Sequence, residues 1–187
     1  MFQFNSNRMT DLRTLLLAEM SRRNTDFISD IVLSDKTLFE NLFKLALLNE
    51  EPVSRRAIWV VDVISEVDPK ILHPYMSELI EALHHFNHDG LKRHTLRMLS
   101  RNDLTMEQFL PILDLCFEFM RSEKESVAVR YQAMHLLYKM SEKEPGLKHE
   151  IISTIELQMH DGSSALGNQC LKLLKKLKFE INKLERK

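Results

Sequence analysis

Glycine and proline are scarce in this chain, four and five residues among 187. Tight-turned sheets, flexible linkers and disordered segments draw heavily on those residue types, so none of them is expected. Cysteine is nearly absent too. Cys116 and Cys170 lie far apart and in no metal or redox spacing, which makes reduced packing thiols the expectation. No apolar run approaches the roughly 20 residues of a membrane span. The longest near the N-terminus, Leu15-Leu16-Leu17-Ala18, is flanked by charge and too short for a signal segment. A cytoplasmic location follows by default. The chain also lacks a charge excess, with a formal net charge of −1. A duplex-binding surface is usually basic across its face, so nucleic acid is disfavoured as a partner. No HExxH, glycine-rich phosphate loop, nucleophile elbow or CxxC pair occurs. No catalytic residue, cofactor or metal ligand is therefore assigned.

What is present favours helix. Leu, Glu, Lys and the ten Met are good helix formers. At this length a compact fold buries roughly 70% of the unfolded surface. Apolar residues recur at helical spacing along the chain. A first helix is expected over Arg8 to Arg23, capped by Ser6 or Asn7, with Leu12, Leu15, Leu16 and Met20 on one stripe. Asn24-Thr25 then separates it from a shorter helix, Asp26 to Leu33. Ser34-Asp35 caps a helix to about Asn49, and Pro52 starts another with Val60, Val63, Ile64 and Val67 inward. Asp68-Pro69 opens a helix reaching about Phe86, followed by Leu91 to Arg101. Thr105 and Gln108 form a capping box before a helix ending near Met120, and Ser126 caps the next, to about Glu142. Leu147 to Met159 and a last helix from about Ser164, after the turn Asp161-Gly162-Ser163, complete the series.

These helices share a register. Arg56, Arg93 and Arg130 stand at intervals of 37 residues, as do Pro74 and Pro111. Self-similarity at such a period marks stacked helical hairpins, each burying its apolar stripe against the next. A proline inside a helix costs about 3 kcal/mol by losing a backbone bond and clashing. Meeting it twice at one phase predicts a bend in each first helix.

The segment Leu72-His73-Pro74-Tyr75-Met76, then Leu79-Ile80-Glu81-Ala82-Leu83, Asp89-Gly90, Arg93, Leu96 and Leu99, resembles a HEAT repeat. So does Phe109-Leu110-Pro111-Ile112-Leu113 through Val127, Arg130, Ala133 and Leu136. Both carry a proline-bearing first helix, a polar turn and an arginine early in the second helix. The units around Arg56 and Gly167 match less well: Gly167 stands where the next arginine would be, and Lys148 where the next proline would be. The resemblance covers roughly residues 35–178. It implies an all-α chain, a right-handed α-α superhelix (α-solenoid) of about four HEAT-like hairpins plus N-terminal helices. One domain is expected over 1–187: capping helices at 1–34, repeats at 35–178 and a basic tail at 179–187. For function it implies a non-catalytic scaffold or adaptor that binds a protein segment on a concave face lined by second helices.

Candidate residues follow from the repeat phase. The ladder Arg56, Arg93 and Arg130 reads as structural, each arginine bonding the neighbouring repeat's turn, where it satisfies orphaned carbonyls and an acidic group, rather than forming a phosphate row. With Ala133, Leu136, Leu137 and Met140 buried, Tyr131, His135 and Lys139 face outward. One period back stand His94, Met98 and Asn102; one period on stand Asn168, Lys172 and Lys176. Such a column forms a groove for an acidic or amphipathic partner segment, or else an ordinary solvated face. Strict alignment places Asp62 in the buried column of Leu99, Leu136 and Leu173. A one-residue slip turns it outward with Glu66, beside Trp59, and spares the cost of burying a charge; the slip is preferred. Trp59 is either a core filler or a groove platform. His84, His85 and His88 cluster at a helix C-terminus without a third ligand at fixed spacing, so no metal is expected there. The tail from Leu171 to Lys187 holds seven basic and two acidic residues and reads as a capping helix with a solvated outer face, the alternative being contact with an anionic surface or an acidic partner. The alternative function rests on some HEAT-like proteins being DNA glycosylases that act on alkylated bases: Trp59, Asp62 and Arg97 have the composition those enzymes use. Oligomeric state and partner identity are not assigned.

Overall fold

The computed structural model describes residues 11–160 and 167–184. Among them are ten α-helices, two short 3-10 segments and no strand. The helices are α1 (Leu12–Ala18), α2 (Arg22–Ser34), α3 (Phe39–Leu47), α4 (Val53–Val67) and α5 (Met76–Leu83). They continue with α6 (Asp89–Arg101), α7 (Met106–Arg121), α8 (Val127–Met140), α9 (Leu147–His160) and α10 (Gly167–Leu184). The chain is all-α, as the periodicity predicts. It divides into two compact units, Met1–Pro74 and Tyr75–Lys187.

In the first unit α1 pairs with α2 and α3 with α4, the first helices α1 and α3 touch, and the second helices α2 and α4 pack side by side. The core is Leu12, Leu16, Ile28, Val32, Phe39, Leu42, Phe43, Ile58 and Ile64. Phe39 and Phe43, one turn apart, stack with ring centroids 6.2 Å apart. Burying a side chain of this kind contributes roughly 1.5–3 kcal/mol.

The expected helix over Arg8 to Arg23 is instead broken. α1 ends at Ala18, with Glu19 extended, and α2 starts at Arg22 and runs through the expected linker Asn24-Thr25. Local capping explains the difference. Ser21 Oγ accepts from Asn24 N at 3.1 Å, and Asn24 Nδ2 donates to Leu15 O at 2.9 Å and Glu19 O at 3.0 Å. Asn24 thus closes α1's last carbonyls from inside α2, a role that its low helix propensity hides. The beginning of the expected helix and its cap lie outside the described residues.

α4 packs against α1, α2 and α3, and its buried surface is correspondingly wider than one stripe. Val60, Val61, Asp62, Val63, Ile64 and Ser65 are all buried. The preferred one-residue slip is therefore wrong for Asp62, which is 0% exposed, while Val67, expected inward, is 68% exposed at the helix end. Strict 37-residue spacing places Asp62 in one column with Leu99 and Leu136, both 0% exposed.

In the second unit α5–α6, α7–α8 and α9–α10 are hairpins. First helices pack in the order α5, α7, α9, and the second helices α6 and α8 lie together. Phe109, Ile112, Cys116 and Phe117 from α7 meet Val129, Ala133, Leu136 and Leu137 from α8 in the core. The capping box at the start of α7 is formed: Thr105 Oγ1 accepts from Gln108 N at 3.2 Å and Gln108 Oε1 from Thr105 N at 3.0 Å. Ser126 Oγ caps α8 through Val129 N at 3.4 Å.

The two repeat prolines act differently. Pro111 lies inside α7, whereas Pro74 lies in the 3-10 segment Pro69–Tyr75, and α5 starts only at Met76. The helix expected from Pro69 to Phe86 is thus split, because Pro74 offers no N–H for an α-type bond. α10 continues to Leu184, so the stretch 179–184, expected as tail, is helix. The turn Asp161-Gly162-Ser163, the expected start at Ser164 and the last residues, Arg186 and Lys187, lie outside the described residues.

Candidate functional site

The second helix of the middle hairpin, α8, carries two faces. Its buried side is Val129, Ala133, Met134, Leu136, Leu137 and Met140. On the other side Tyr131, His135 and Tyr138 follow at four and three residues, which aligns them along one line of the helix. Tyr131 and His135 stack, with centroids 6.3 Å apart and planes 29° from parallel. Gln169, Lys172, Leu173 and Lys176 of α10 face them. Together with Met134 these residues line a cleft of about 330 Å³.

The cleft's far end is held by a polar cluster. Glu180 of α10 accepts from Tyr138 OH at 2.8 Å and from Lys148 Nζ of α9 at 2.6 Å. Lys148 is buried, so Glu180 matches a cation withdrawn from water. Lys176 Nζ sits 4.4 Å from the centre of the Tyr138 ring, a cation–π contact. Burial, then the hydrogen bond to Glu180, pushes the Tyr138 hydroxyl well above its usual range. Burial is also the largest single influence on Glu180 and pushes it up, but the hydrogen bonds from Lys148 and Tyr138 with the charges of Lys148 and Lys176 outweigh it, and its pKa is lowered. His135 is pushed below 6.5 by desolvation, then by the positive charges of Lys139 and Lys176, so it is neutral at pH 7. Behind the lining residue Met134, buried Cys170 has its Sγ 3.9 Å from Met134 Sδ.

Of the ten groove candidates, Tyr131, His135, Lys172 and Lys176 meet in this cleft. Lys139 does not line it. Its ammonium donates to Ser100 O at 2.7 Å and Asn102 O at 2.8 Å, closing the C-terminal end of α6, where a cation is favoured by the helix dipole. His94 and Met98 do not face outward as expected; they are 6% and 0% exposed. The reason is that α6 packs against both α5 and α8, so its apolar arc is broad enough to include them. Trp59, Asp62 and Glu66 belong to α4 of the first unit: Trp59 is half-buried, Asp62 is buried and Glu66 exposed. The glycosylase-type reading of Trp59, Asp62 and Arg97 gains no support from a carboxylate fully removed from solvent.

The arginines diverge. Arg130 is buried, and its Nε donates to Met120 O in the last turn of α7 at 3.3 Å, within its own hairpin and not at the neighbouring repeat's turn as expected. Arg56 donates to Leu16 O in the last turn of α1 at 2.8 Å. Arg93 is exposed, with its guanidinium 3.0 Å from His94 Nε2. His88 caps α6, its Nδ1 accepting from Gly90 N at 2.9 Å. Among the described residues, no group of three or more His, Cys, Asp or Glu is placed to hold a metal, and no helix is long and apolar enough to cross a membrane.

Sequence reasoning missed Tyr138, Lys148 and Glu180. Tyr138 was within reach, since it lies seven residues after Tyr131 and so two turns along the same face. The Lys148–Glu180 pair carries no sequence signal, because it joins residues 32 apart through hairpin geometry.

No curated protein and no solved structure matches this chain. A family model described as the HEAT repeat domain matches residues 12–178. The match begins at α1, so the first two helices, expected as caps, fall inside it. With most of its length covered by that model and its helices paired in hairpins at a fixed register, this chain belongs to the HEAT repeat family.

Proposed function

We propose that this protein is a non-catalytic HEAT repeat scaffold that holds a segment of a partner protein on the face made by its second helices, in the cytoplasm. Membership of a family of helical interaction scaffolds supports the general role. The cleft between α8 and α10 supports the particular place. Four of its eight lining residues are exposed, three half-buried and one buried, which suits a chain segment laid across a surface better than a substrate enclosed in a pocket. The observation that carries the reading is the convergence of Tyr131, His135, Lys172 and Lys176 on one cleft. Tyrosine is among the residue types that contribute most where a segment docks, and the lysines add charge that selects the partner's sign.

The test is a pull-down from cell extract with the full chain and with a Tyr131→Ala, His135→Ala, Lys172→Glu variant, each checked by circular dichroism. A partner retained by the wild type and lost by the folded variant is the expected result. Equal retention by both would overturn the assignment of the cleft.

A further inference from the structure

The charges around the cleft are unevenly used. Lys148 is matched by Glu180, Lys178 by Glu156 at 2.7 Å, and Lys139 by the carbonyls at the end of α6. Lys172 has no hydrogen bond or ion pair among the described residues, and Lys176 lies over the Tyr138 ring. Both lysines are exposed, and they stand one turn apart on α10, on the side that lines the cleft. Opposite them the Tyr131–His135 stack offers a flat, half-apolar wall. Glu180 is engaged by Tyr138 and Lys148, and its charge also reaches Lys176, so of the two lysines Lys172 faces the cleft with no acid beside it among the described residues.

We propose that the cleft binds an acidic stretch of a partner protein, its carboxylates paired with Lys172 and Lys176 and its side chains against Tyr131 and His135, and that seating it draws a proton onto His135. This rests on the scaffold reading above and adds the partner's chemistry. Among the described residues, the charges that reach His135 are Lys139 on its own helix and Lys176 on α10, opposed by Glu142 on the turn after α8. Those cations and desolvation keep the imidazole neutral when the cleft is empty. A bound carboxylate reverses the local field and favours the imidazolium. Because His135 holds its proton more tightly in the complex, binding strengthens as pH falls, by up to about tenfold per pH unit between the bound and free pKa values. Two lysines and a histidine are too few for a duplex, which is held through several phosphate contacts.

The experiment uses the full chain and two fluorescein-labelled 12-residue synthetic peptides, capped at both ends. One is glutamate-rich with a central Phe, and in the other lysine replaces each glutamate. Anisotropy titrations at several pH values, with the His135 ring followed by NMR, give affinity and protonation together. The acidic peptide is expected to bind and the lysine peptide not to. Lys172→Met and Lys176→Met each weaken binding about two- to fivefold, as for exposed ion pairs, and together about tenfold. His135→Gln keeps binding but flattens the pH slope. Equal binding of both peptides, no effect of the lysine variants, or an unchanged slope in His135→Gln would overturn the proposal. A natural partner lost on Tyr131→Ala but kept by Lys172→Met, Lys176→Met would leave the cleft as the docking place and overturn only its acidic chemistry.

Discussion

Replacing Glu180 with leucine should loosen α10 by leaving Lys148 buried without its counter-charge. Lys148 Nζ lies 2.6 Å from Glu180 Oε2, and the two side chains are 9% and 24% exposed. Removing one partner of a fully buried pair costs about 3–5 kcal/mol. Water reaches part of Glu180, so about 2–3 kcal/mol is the expected loss here. At this chain length that corresponds to a melting-temperature drop of roughly 4–12 °C. Lys148→Met alone strands the Glu180 carboxylate, which is better hydrated, and should cost less. The double variant strands neither charge and should fall within about 1 kcal/mol of wild type. The two single effects therefore do not add, and the cycle should return a coupling of about 1–3 kcal/mol. Thermal melts by circular dichroism give the stabilities. Hydrogen exchange along α10 shows whether the loss is local, since a terminal helix can detach without global unfolding. Additive single effects, or unchanged exchange in α10 for Glu180→Leu, would refute the claim that this pair docks the last helix. The pH dependence has a definite sign. Glu180 is held below the ordinary glutamate value of 4.5, so its contribution is complete above pH 4.5 and is lost as pH falls through the folded pKa.

Three further outcomes follow from the same geometry. Arg130→Ala should cost about 2 kcal/mol, through the charged hydrogen bond to Met120 O and the buried stem. Arg93→Ala, on an exposed side chain, should stay within about 0.5 kcal/mol; equal effects in urea denaturation would show that one physical role runs through all the repeat arginines. Lys139→Met should lose about 1–2 kcal/mol with the two bonds at the end of α6 and move the His135 pKa up toward 6.5, since a positive neighbour is gone. In the wild type the depressed His135 costs stability only below pH 6.5, where the unfolded chain takes up the proton first, and an NMR titration of the ring checks both points. Cys116 and Cys170 are buried, and burial raises both thiols above their usual range. Neither should react with a thiol reagent in minutes at pH 7.5 without denaturant, and prompt labelling of either would contradict the packing.

The repeat architecture was legible because one rule acts over the whole chain. A hairpin can bury its stripe only against a neighbour, so apolar positions return at a fixed interval and the period survives local noise. Local exceptions were less legible where a side chain acts on backbone groups. Asn24-Thr25 is expected between two helices, yet the Asn24 amide closes the end of α1 from within α2. Pro74 and Pro111 share a phase but not an effect: Pro111 is accommodated inside a long helix, while Pro74 leaves a 3-10 segment and delays α5 to Met76.

The site was legible where it lies along one helix and hidden where it depends on which helices flank it. Tyr131 and His135 follow from position on α8, and Lys172 and Lys176 from the repeat phase. His94 and Met98 have the same phase as Tyr131 and His135, but α6 is packed by helices on two sides and buries them. Asp62 shows the converse. The cost of burying a carboxylate argued for turning α4 by one residue, but three helices pack against α4, and turning it would have moved the whole valine-rich arc away from them. The register of many apolar contacts, each contributing roughly 1.5–3 kcal/mol, fixes the phase of α4 and carries Asp62 inside with it. A repeat protein therefore tolerates a polar residue in its core column more readily than a shift of phase, and an acid found at such a position is placed by its neighbours rather than by its own preference for water.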